Sequence, residues 1–307
     1  MVGRMLKTNF LQKELKNPTV LASGILGISA SSWLNAAGKG AGAITTKSIG
    51  LKERKGHKAP VLVELESGFL NAVGLSCPGI EESIEEIKEY KKKCKIPLIA
   101  SVFAEKTEEF GEVCSAVSEA KPDFIELNIS CPNVESEFGI PFGANVENAA
   151  KATEIAKNSC KIPLIVKLSP NVLNIAEIAE AAEKAGADAI NAINTLGPGM
   201  SIDLKAKKPI LSNKKGGVSG KAIKPIAIRC VFDIFEKVEI PVIGTGGITT
   251  GEDAVEIMMA GATLVGIGTA VYYRGINVFE KISKEIEEFM KKNGYKSVKE
   301  LVGIAHE

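Results

Sequence analysis

Hydrophobic and polar positions along the chain fall into two alternating rhythms. Short β-branched runs occur at residues 20–23, 43–47, 98–102, 124–129, 164–168, 189–193, 242–244 and 264–267, and each reads as a buried strand. Between them, residues 82–93, 107–120, 145–158, 175–185, 222–236, 252–260 and 278–291 carry apolar side chains at helical spacing. In the first of these, Ile84 and Ile87 form a dry stripe opposed by Glu85, Glu86 and Glu89. Strands that alternate with amphipathic helices build parallel sheets, because a parallel neighbour is reached only through a crossover long enough to hold a helix.

The punctuation between runs is equally regular. Three strands begin in one phrase, Ile96-Pro97-Leu98-Ile99, Ile162-Pro163-Leu164-Ile165 and Ile240-Pro241-Val242-Ile243, where proline suits a first position that needs no ladder donor. Three others follow a glycine turn, Gly40-Ala41-Gly42-Ala43, Ala185-Gly186-Ala187-Asp188 and Ala260-Gly261-Ala262, with glycine ending the preceding helix in the left-handed conformation. Eight strands in this order predict an α/β fold, a (β/α)₈ TIM barrel in preference to an open doubly wound sheet, as one domain over 1–307. At 307 residues the chain exceeds the roughly 250 typical of such a barrel. The surplus falls in long insertions at 48–80, after strand two, and 194–221, after strand six. Both follow strand C-termini, the side on which a barrel keeps its chemistry.

Composition narrows the class of partner. The 38 basic and 37 acidic residues are interspersed and leave a net charge of +1, which argues against nucleic acid and for small molecules. The longest uncharged window, 17–38, is broken by Pro18, Gly24, Gly27 and several serines and does not read as a membrane span. Arg4, Lys7, Lys13 and Glu14 interrupt any secretory apolar segment, so a cytoplasmic location is expected. The six cysteines include no CxxC pair, so no zinc or iron–sulfur site is written here, no metal is expected, and the sulfurs are expected to be thiols.

Candidate chemistry gathers at strand ends. The stretch Asn128-Ile129-Ser130-Cys131-Pro132-Asn133 places a thiol between two carboxamides directly after an apolar run. An exposed Cys131 there can take or give a proton, while Asn128 and Asn133 offer donors and acceptors to a flat polar ring; for an average cysteine a structural role is the commoner reading, and the flanking amides reverse it. Gly244-Thr245-Gly246-Gly247-Ile248 and Gly266-Ile267-Gly268-Thr269 are glycine-rich turns at the two strand ends where barrels commonly hold phosphate, a pairing more specific than lone turn glycines. A phosphate held by amides, with no GxxxxGK[ST] loop, fits a resident cofactor such as FMN. Lys167, at the end of strand five, is a candidate to stabilise a reduced flavin, and Lys47 can serve flavin and substrate together. Asn71-Ala72-Val73-Gly74-Leu75 in the first insertion and Asn194-Thr195 after strand six add amides, a hydroxyl and a close-approach glycine. Neither histidine is a convincing base: His306 is next to the chain end and His57 lies in the lysine-rich patch 52–58, expected to be solvated.

Together, Ala22-Ser23-Gly24, Thr46-Lys47-Ser48, residues 71–75 and 128–133, Val166-Lys167-Leu168-Ser169-Pro170, Asn194-Thr195, Gly216-Gly217-Val218-Ser219-Gly220, Gly246-Gly247 and Gly268-Thr269 resemble the class 1 dihydroorotate dehydrogenases over essentially the whole chain. The resemblance implies that Cys131 removes a proton from C5 of dihydroorotate while hydride leaves C6 for the flavin, giving orotate for pyrimidine synthesis. It implies flavin contacts from Ser23, Lys47, Ser48, Asn128, Lys167, Ile193, Gly220, Gly246, Gly247, Gly268 and Thr269. Substrate contacts are implied for Lys47, Asn71, Ala72, Val73, Gly74, Leu75, Asn128, Asn133, Asn194 and Thr195. Ser101 stands where many relatives have an asparagine near the flavin, so a hydroxyl takes that place here. Membrane-associated class 2 relatives use serine as base and carry an N-terminal extension; this chain is expected to have neither. The sequence resembles most the B-type catalytic subunit, which passes electrons to NAD through an iron–sulfur and FAD-containing subunit and forms a homodimer core within a heterotetramer. No GxGxxG strand-turn-helix for NAD occurs here, in keeping with a partner supplying it. The alternatives are the fumarate-using A type, the flavin domain of dihydropyrimidine dehydrogenases, and a non-catalytic barrel that senses a phosphorylated metabolite.

Overall fold

The computed structural model describes residues 4–130, 143 and 145–307. Eight parallel strands close into a barrel: β1 (Thr19–Leu21), β2 (Ala43–Thr45), β3 (Leu98–Val102), β4 (Phe124–Asn128), β5 (Leu164–Leu168), β6 (Ala189–Ala192), β7 (Val242–Thr245) and β8 (Ala262–Ile267). All eight coincide with the apolar runs in the sequence. Each is followed by a helix: α1 (Ala30–Gly38), α2 (Ile80–Lys93), α3 (Glu109–Ser118), α4 (Val146–Ser159), α5 (Ile175–Lys184), α6 (Lys224–Phe235), α7 (Gly251–Met259) and α8 (Val278–Asn293), with a short turn of helix, Ala270–Arg274, before the last.

Two kinds of strand start alternate around the barrel. Odd strands follow Pro18, Pro97, Pro163 and Pro241. Proline brings no N–H to leave unpaired at the barrel's edge, yet its carbonyl still accepts from the neighbouring even strand, from Val265, Ile44, Ile125 and Ile190 respectively, at 2.9–3.0 Å. Even strands follow a residue in the left-handed region: Gly40 (φ 103°), Lys121 (φ 51°), Gly186 (φ 101°) and Gly261 (φ 121°). The repeat is therefore fourfold and complete. Pro18 joins the three prolines read from the Ile-Pro phrase, and Lys121 fills the glycine position of the remaining turn.

An aspartate ties two of these junctions together. Asp123 accepts from the Leu98 N–H at 2.9 Å, from Lys13 at 2.6 Å and from Lys91, linking β3, α2 and the N-terminal segment. Asp188 repeats the device, with Leu164 N–H at 2.7 Å and Lys157 at 2.6 Å. Burial alone would raise the Asp123 pKa, but the bonds from Lys13, Lys91 and Leu98 outweigh it and hold the carboxyl below its ordinary value.

The barrel interior changes character over one pleat. Ile99, Phe124, Ile165, Ala189, Ile243 and Leu264 pack as one cluster with Phe10 and Leu15. Phe10 and Leu15 belong to an antiparallel hairpin, Thr8–Phe10 with Lys13–Leu15, whose turn residues Leu11 and Gln12 both take positive φ as a two-residue turn requires. The ring of Phe10 meets that of Phe124 edge-on at 5.5 Å, so the hairpin plugs the barrel floor. Two residues further along the same strands, on the same face, stand Ser101, Glu126, Lys167, Asn191, Thr245 and Gly266.

Two features depart from the periodicity. Helix α1 was hidden in the uncharged window 17–38: it buries Ala30, Trp33, Ala36 and Ala37 and is capped by Ser29, whose hydroxyl accepts from the Ser32 N–H. Alanine and serine differ too little in hydropathy to print a strong stripe. The two insertions also do not remain separate loops. Leu62–Leu65 and Gly68–Asn71 from the first pair with Leu196–Gly199 and Gly216–Ser219 from the second in a four-stranded antiparallel sheet, in which Gly217 lies opposite Asn71 and Ser219 opposite Phe69. Among the described residues, no helix is long and apolar enough to cross a membrane.

Replacing Lys121 by glycine relieves a left-handed non-glycine residue, so Lys121→Gly is expected to stabilise the fold by roughly 0.5–1 kcal/mol, seen as a later midpoint in denaturant melts; an earlier midpoint contradicts it. Asp123→Asn is expected to cost roughly 1.5–3 kcal/mol near neutrality. The Asp123 contribution is present above the unfolded carboxylate value of about 3.9 and is lost as pH falls through the lower folded value, so melts at descending pH should show wild type and variant converging below about pH 4.

Candidate active site

The C-terminal ends of the strands carry a continuous run of hydrogen-bonded side chains, and Ser48 is its hub. The Ser48 hydroxyl sits 2.9 Å from that of Ser101, accepts from the Asn128 amide at 3.0 Å and lies 3.5 Å from the Ser23 hydroxyl, which donates to the Thr46 carbonyl at 2.8 Å. From Asn128 the run continues outward. Ser130 donates to the Asn128 side-chain carbonyl at 2.8 Å and accepts from the Asn194 amide at 2.7 Å, and Asn194 in turn accepts from the Thr195 backbone at 2.8 Å. Thr195 packs so tightly on Gly217 that a Cβ there would lie 2.0 Å from its Oγ1, while the Gly217 carbonyl accepts from Asn71 at 3.3 Å. Four strand ends and both insertions are thus knitted into one rim.

Lys47 borders this run. Its ammonium donates to Ser76 at 2.6 Å, and burial is the main cause that pushes its pKa below the ordinary lysine value, partly offset by the nearby Cys77 thiol. Beneath the rim lies a second polar level. Lys167, 5% exposed, points its Nζ toward Glu126, 0% exposed, with 3.9 Å between Nζ and Oε1. The other carboxylate oxygen accepts from Asn191 at 2.6 Å, and Asn191 accepts from the Thr245 hydroxyl at 2.8 Å. Thr245 reaches inward because residue 266 is glycine, where a Cβ would lie 2.0 Å from Thr245 Oγ1.

Residues 71–75 are fixed by the insertion around them. Ala72 donates to the Val61 carbonyl at 2.8 Å, Arg54 donates to the Gly74 carbonyl at 3.0 Å, and Gly74 (φ 77°) and Leu75 (φ 53°) turn the chain beside Val73. His57 is half-buried there, its Nδ1 3.1 Å from the Ala72 carbonyl and its backbone N 2.8 Å from where a Gly74 Cβ would stand. The solvated surface expected from its lysine neighbours is therefore wrong: the ring braces the loop. His306 stacks on Phe232 with ring centroids 3.7 Å apart and lies 3.1 Å from the Ala260 carbonyl.

The glycine turns have two distinct reasons for being glycine. A Cβ on Gly246 would fall 2.7 Å from Ala227 Cβ and one on Gly247 2.5 Å from Lys224 Cβ, so the start of α6 presses on this turn. Gly268 meets nothing nearer than 3.5 Å. Gly246 and Gly247 are buried, yet their backbone N–H groups, like those of Gly268 and Thr269, donate to no partner among the described residues. Buried backbone donors are almost always paired, so these amides suit an anionic oxygen. Ile193 is 2% exposed and packs 3.4 Å from the Gly246 Cβ position. Gly220 (φ 99°) closes on Gly68, where a Cβ would lie 2.6 Å from the Gly68 Cα, joining the two insertions.

Ser23, Ser48, Asn128, Asn194, Thr195 and Asn71 are brought together as expected, with Lys47 and Lys167 beside and beneath them. Ser101 is not at the surface of the site: it is 0% exposed and holds Ser48 from behind. Cys131 and Asn133 lie outside the described residues. Sequence reasoning passed over Ser130, Glu126 and Asn191. The signal for the last two was present, since a charged or amide side chain in a buried run, two residues beyond an apolar one on the same face, marks the inside of a barrel mouth.

A family described as dihydroorotate dehydrogenase matches residues 5–290. The "Dihydroorotate dehydrogenase B (NAD(+)), catalytic subunit" of Methanocaldococcus jannaschii is 49% identical over 306 residues, covering 99% of each chain. The proteins of the same name from Methanothermobacter thermautotrophicus, with 99% of each chain covered, and from Pyrococcus abyssi, with 98% of this chain and 99% of the relative covered, are each 46% identical. Full-length similarity at this level, on a (β/α)₈ barrel with this amide-lined mouth, makes the chain a member of the dihydroorotate dehydrogenase family.

Proposed function

We propose that this chain is a dihydroorotate dehydrogenase catalytic subunit that oxidises (S)-dihydroorotate to orotate in pyrimidine synthesis, with FMN as its resident cofactor. The observation that carries this reading is the rim itself: Asn128, Asn194 and Thr195 join one hydrogen-bonded run through Ser130, and Asn71 is bonded to Gly217, on which Thr195 packs, so both insertions and the end of β4 bring amides together beside the half-buried cation of Lys47. Carboxamides offer a donor and an acceptor each, which suits the alternating C=O and N–H groups of a pyrimidine ring, and Lys47 suits its carboxylate.

The residues present fit FMN. The amides of Gly246, Gly247, Gly268 and Thr269, which donate to no partner among the described residues, suit its phosphate, and Lys167 brings a buried cation to the level beneath the rim. Ser23, Ser48, Asn128, Ile193 and Gly220 would complete its contacts. FMN, when bound, supplies two-electron acceptance. The chain's own residues do the rest: the amides fix the ring's orientation, Lys47 anchors its carboxylate, and Cys131 takes the proton from C5. A thiol, with an ordinary pKa of about 8.5, serves as a base near neutrality after a modest shift. Cys131 follows Ser130, whose hydroxyl bridges Asn128 and Asn194, and Asn133 is assigned to the substrate with it.

The B-type names of the relatives support a separate electron-transfer subunit. We assign that role to an iron–sulfur and FAD-containing partner that passes electrons to NAD, around a homodimer of this chain, in the cytoplasm.

Purified protein is expected to absorb in the visible as a flavoprotein and to bleach on anaerobic addition of dihydroorotate; bleaching by dihydrouracil but not by dihydroorotate would point to the dihydropyrimidine dehydrogenase alternative, and a colourless protein to a sensor. Cys131→Ser should slow flavin reduction by roughly 10²- to 10⁴-fold in stopped flow at neutral pH, the usual worth of a positioned base. Cys160→Ser, at the C-terminal cap of α4 with its sulfur 3.5 Å from the Ala156 carbonyl, should react as wild type. Equal rates in Cys131→Ser and wild type return Cys131 to a structural role.

A further inference from the structure

Glu126 has no place in the reaction as described, yet its position is unusual. It is 0% exposed inside the barrel, one level above an apolar floor, and its Oε1 makes no hydrogen bond among the described residues. An unpaired buried carboxylate oxygen costs free energy, and an ion pair buried with imperfect geometry is often no better than apolar residues of the same size. Two apolar residues at 126 and 167 would extend the floor cluster of Phe124 and Ile165 with no charge to bury. Stability alone therefore does not call for a charged pair here, although removing either partner would strand the other, and the neighbours of Glu126 offer another account. Glu126 Oε2 can only accept, so Asn191 turns its Nδ2 to it at 2.6 Å and presents Oδ1 to the Thr245 hydroxyl, which donates at 2.8 Å; Oε1 is left turned toward Lys167 Nζ at 3.9 Å. Four strands, β7, β6, β4 and β5, each contribute one member. The Lys167 ammonium makes no hydrogen bond among the described residues, so Glu126 is the group that directs it.

We propose that Glu126, oriented by Asn191 and Thr245, is a positioning residue that holds the Lys167 ammonium at the level of the barrel mouth where the cofactor binds. This rests on the FMN reading given above. Glu126 touches neither cofactor nor substrate; it acts through Lys167. At 3.9 Å in a buried setting two opposite charges attract strongly enough to select one lysine rotamer among several, whereas a neutral amide does not.

The test is a double-mutant cycle with two readouts. Glu126→Gln keeps an acceptor for Asn191 and removes the charge; Lys167→Met removes the cation. In flavin-free protein each single variant should melt earlier than wild type, and E126Q/K167M should lose clearly less than the two losses summed, because neither charge is then stranded. Additive losses overturn the pairing. If K167M does not accumulate as folded protein, restoration of folded protein by adding E126Q is the expected result, and failure to restore it overturns the proposal. The second readout is FMN affinity by fluorescence titration. E126Q should weaken it roughly tenfold when Lys167 is present and by less than about twofold in the K167M background, a change of about 1.4 kcal/mol reduced to near zero. Equal weakening in both backgrounds means Glu126 does not act through Lys167. If wild type itself takes up no FMN, the cofactor reading fails, while the flavin-free cycle still reports on the pair, so the two failures are distinguishable.

Discussion

The period of two along each barrel strand is the constraint on which the rest depends. Once Phe124 and Ile165 point into the floor, the backbone has no choice but to point Glu126 and Lys167 into the same interior one level higher, and Asn128 above them. The outer face of the barrel is taken by the packed helices, so a slip of one residue would carry these groups into an apolar layer. The polar mouth and the apolar floor are consequently one decision, made strand by strand. The hairpin that carries Phe10 and Leu15 completes it by keeping water from the lower end, so the floor stays dry while the upper levels carry charge.

The rim adds a second layer of determination. Insertions after β2 and β6 start on opposite sides of the mouth, and each alone would be a long loop. Paired through Gly217 opposite Asn71, they become a sheet that carries amides to the site on regular backbone. Glycine at 217 lets Thr195 lie directly against that sheet, and glycine at 220 lets the sheet's end close on Gly68. Rigidity of this kind matters for binding a flat ring, because amides already oriented by partners lose little freedom when a ligand replaces those partners.

The strands were legible because their apolar runs are unbroken and bounded by proline or glycine. The helices with charged outer faces were legible for the complementary reason. Helix α1, made of alanine and serine around Trp33, lacked that contrast, and the floor hairpin was too short and too charged at Lys13 and Glu14 to read as strands. Pairing between insertions 146 residues apart at Asn71 and Gly217 leaves no local trace at all, since it is written in two glycines whose meaning appears only when the segments meet. For the site, chemically expressive residues at strand ends were found, whereas Glu126 and Asn191, a pleat deeper, were absorbed into the apolar runs around them. His57 misled because its sequence neighbours are lysines, while its packing neighbour is Gly74.

Within the rim, the hydroxyls are the adaptable members. An amide presents a fixed donor and a fixed acceptor, but the Ser48 and Ser130 hydroxyls can rotate to donate or accept. Ser130 donates to Asn128 while accepting from Asn194, and Ser48 accepts from Asn128 while facing Ser101 and Ser23. When a ring takes over the outward bonds of an amide, the serine behind it can reverse and leave no buried group unpaired. A rim of amides alone would have to rotate each plane to do the same, and would lose the register that makes it selective. The alternation of serine with asparagine therefore reconciles two demands that pull against each other, a site satisfied when empty of ring and equally satisfied when the ring is there.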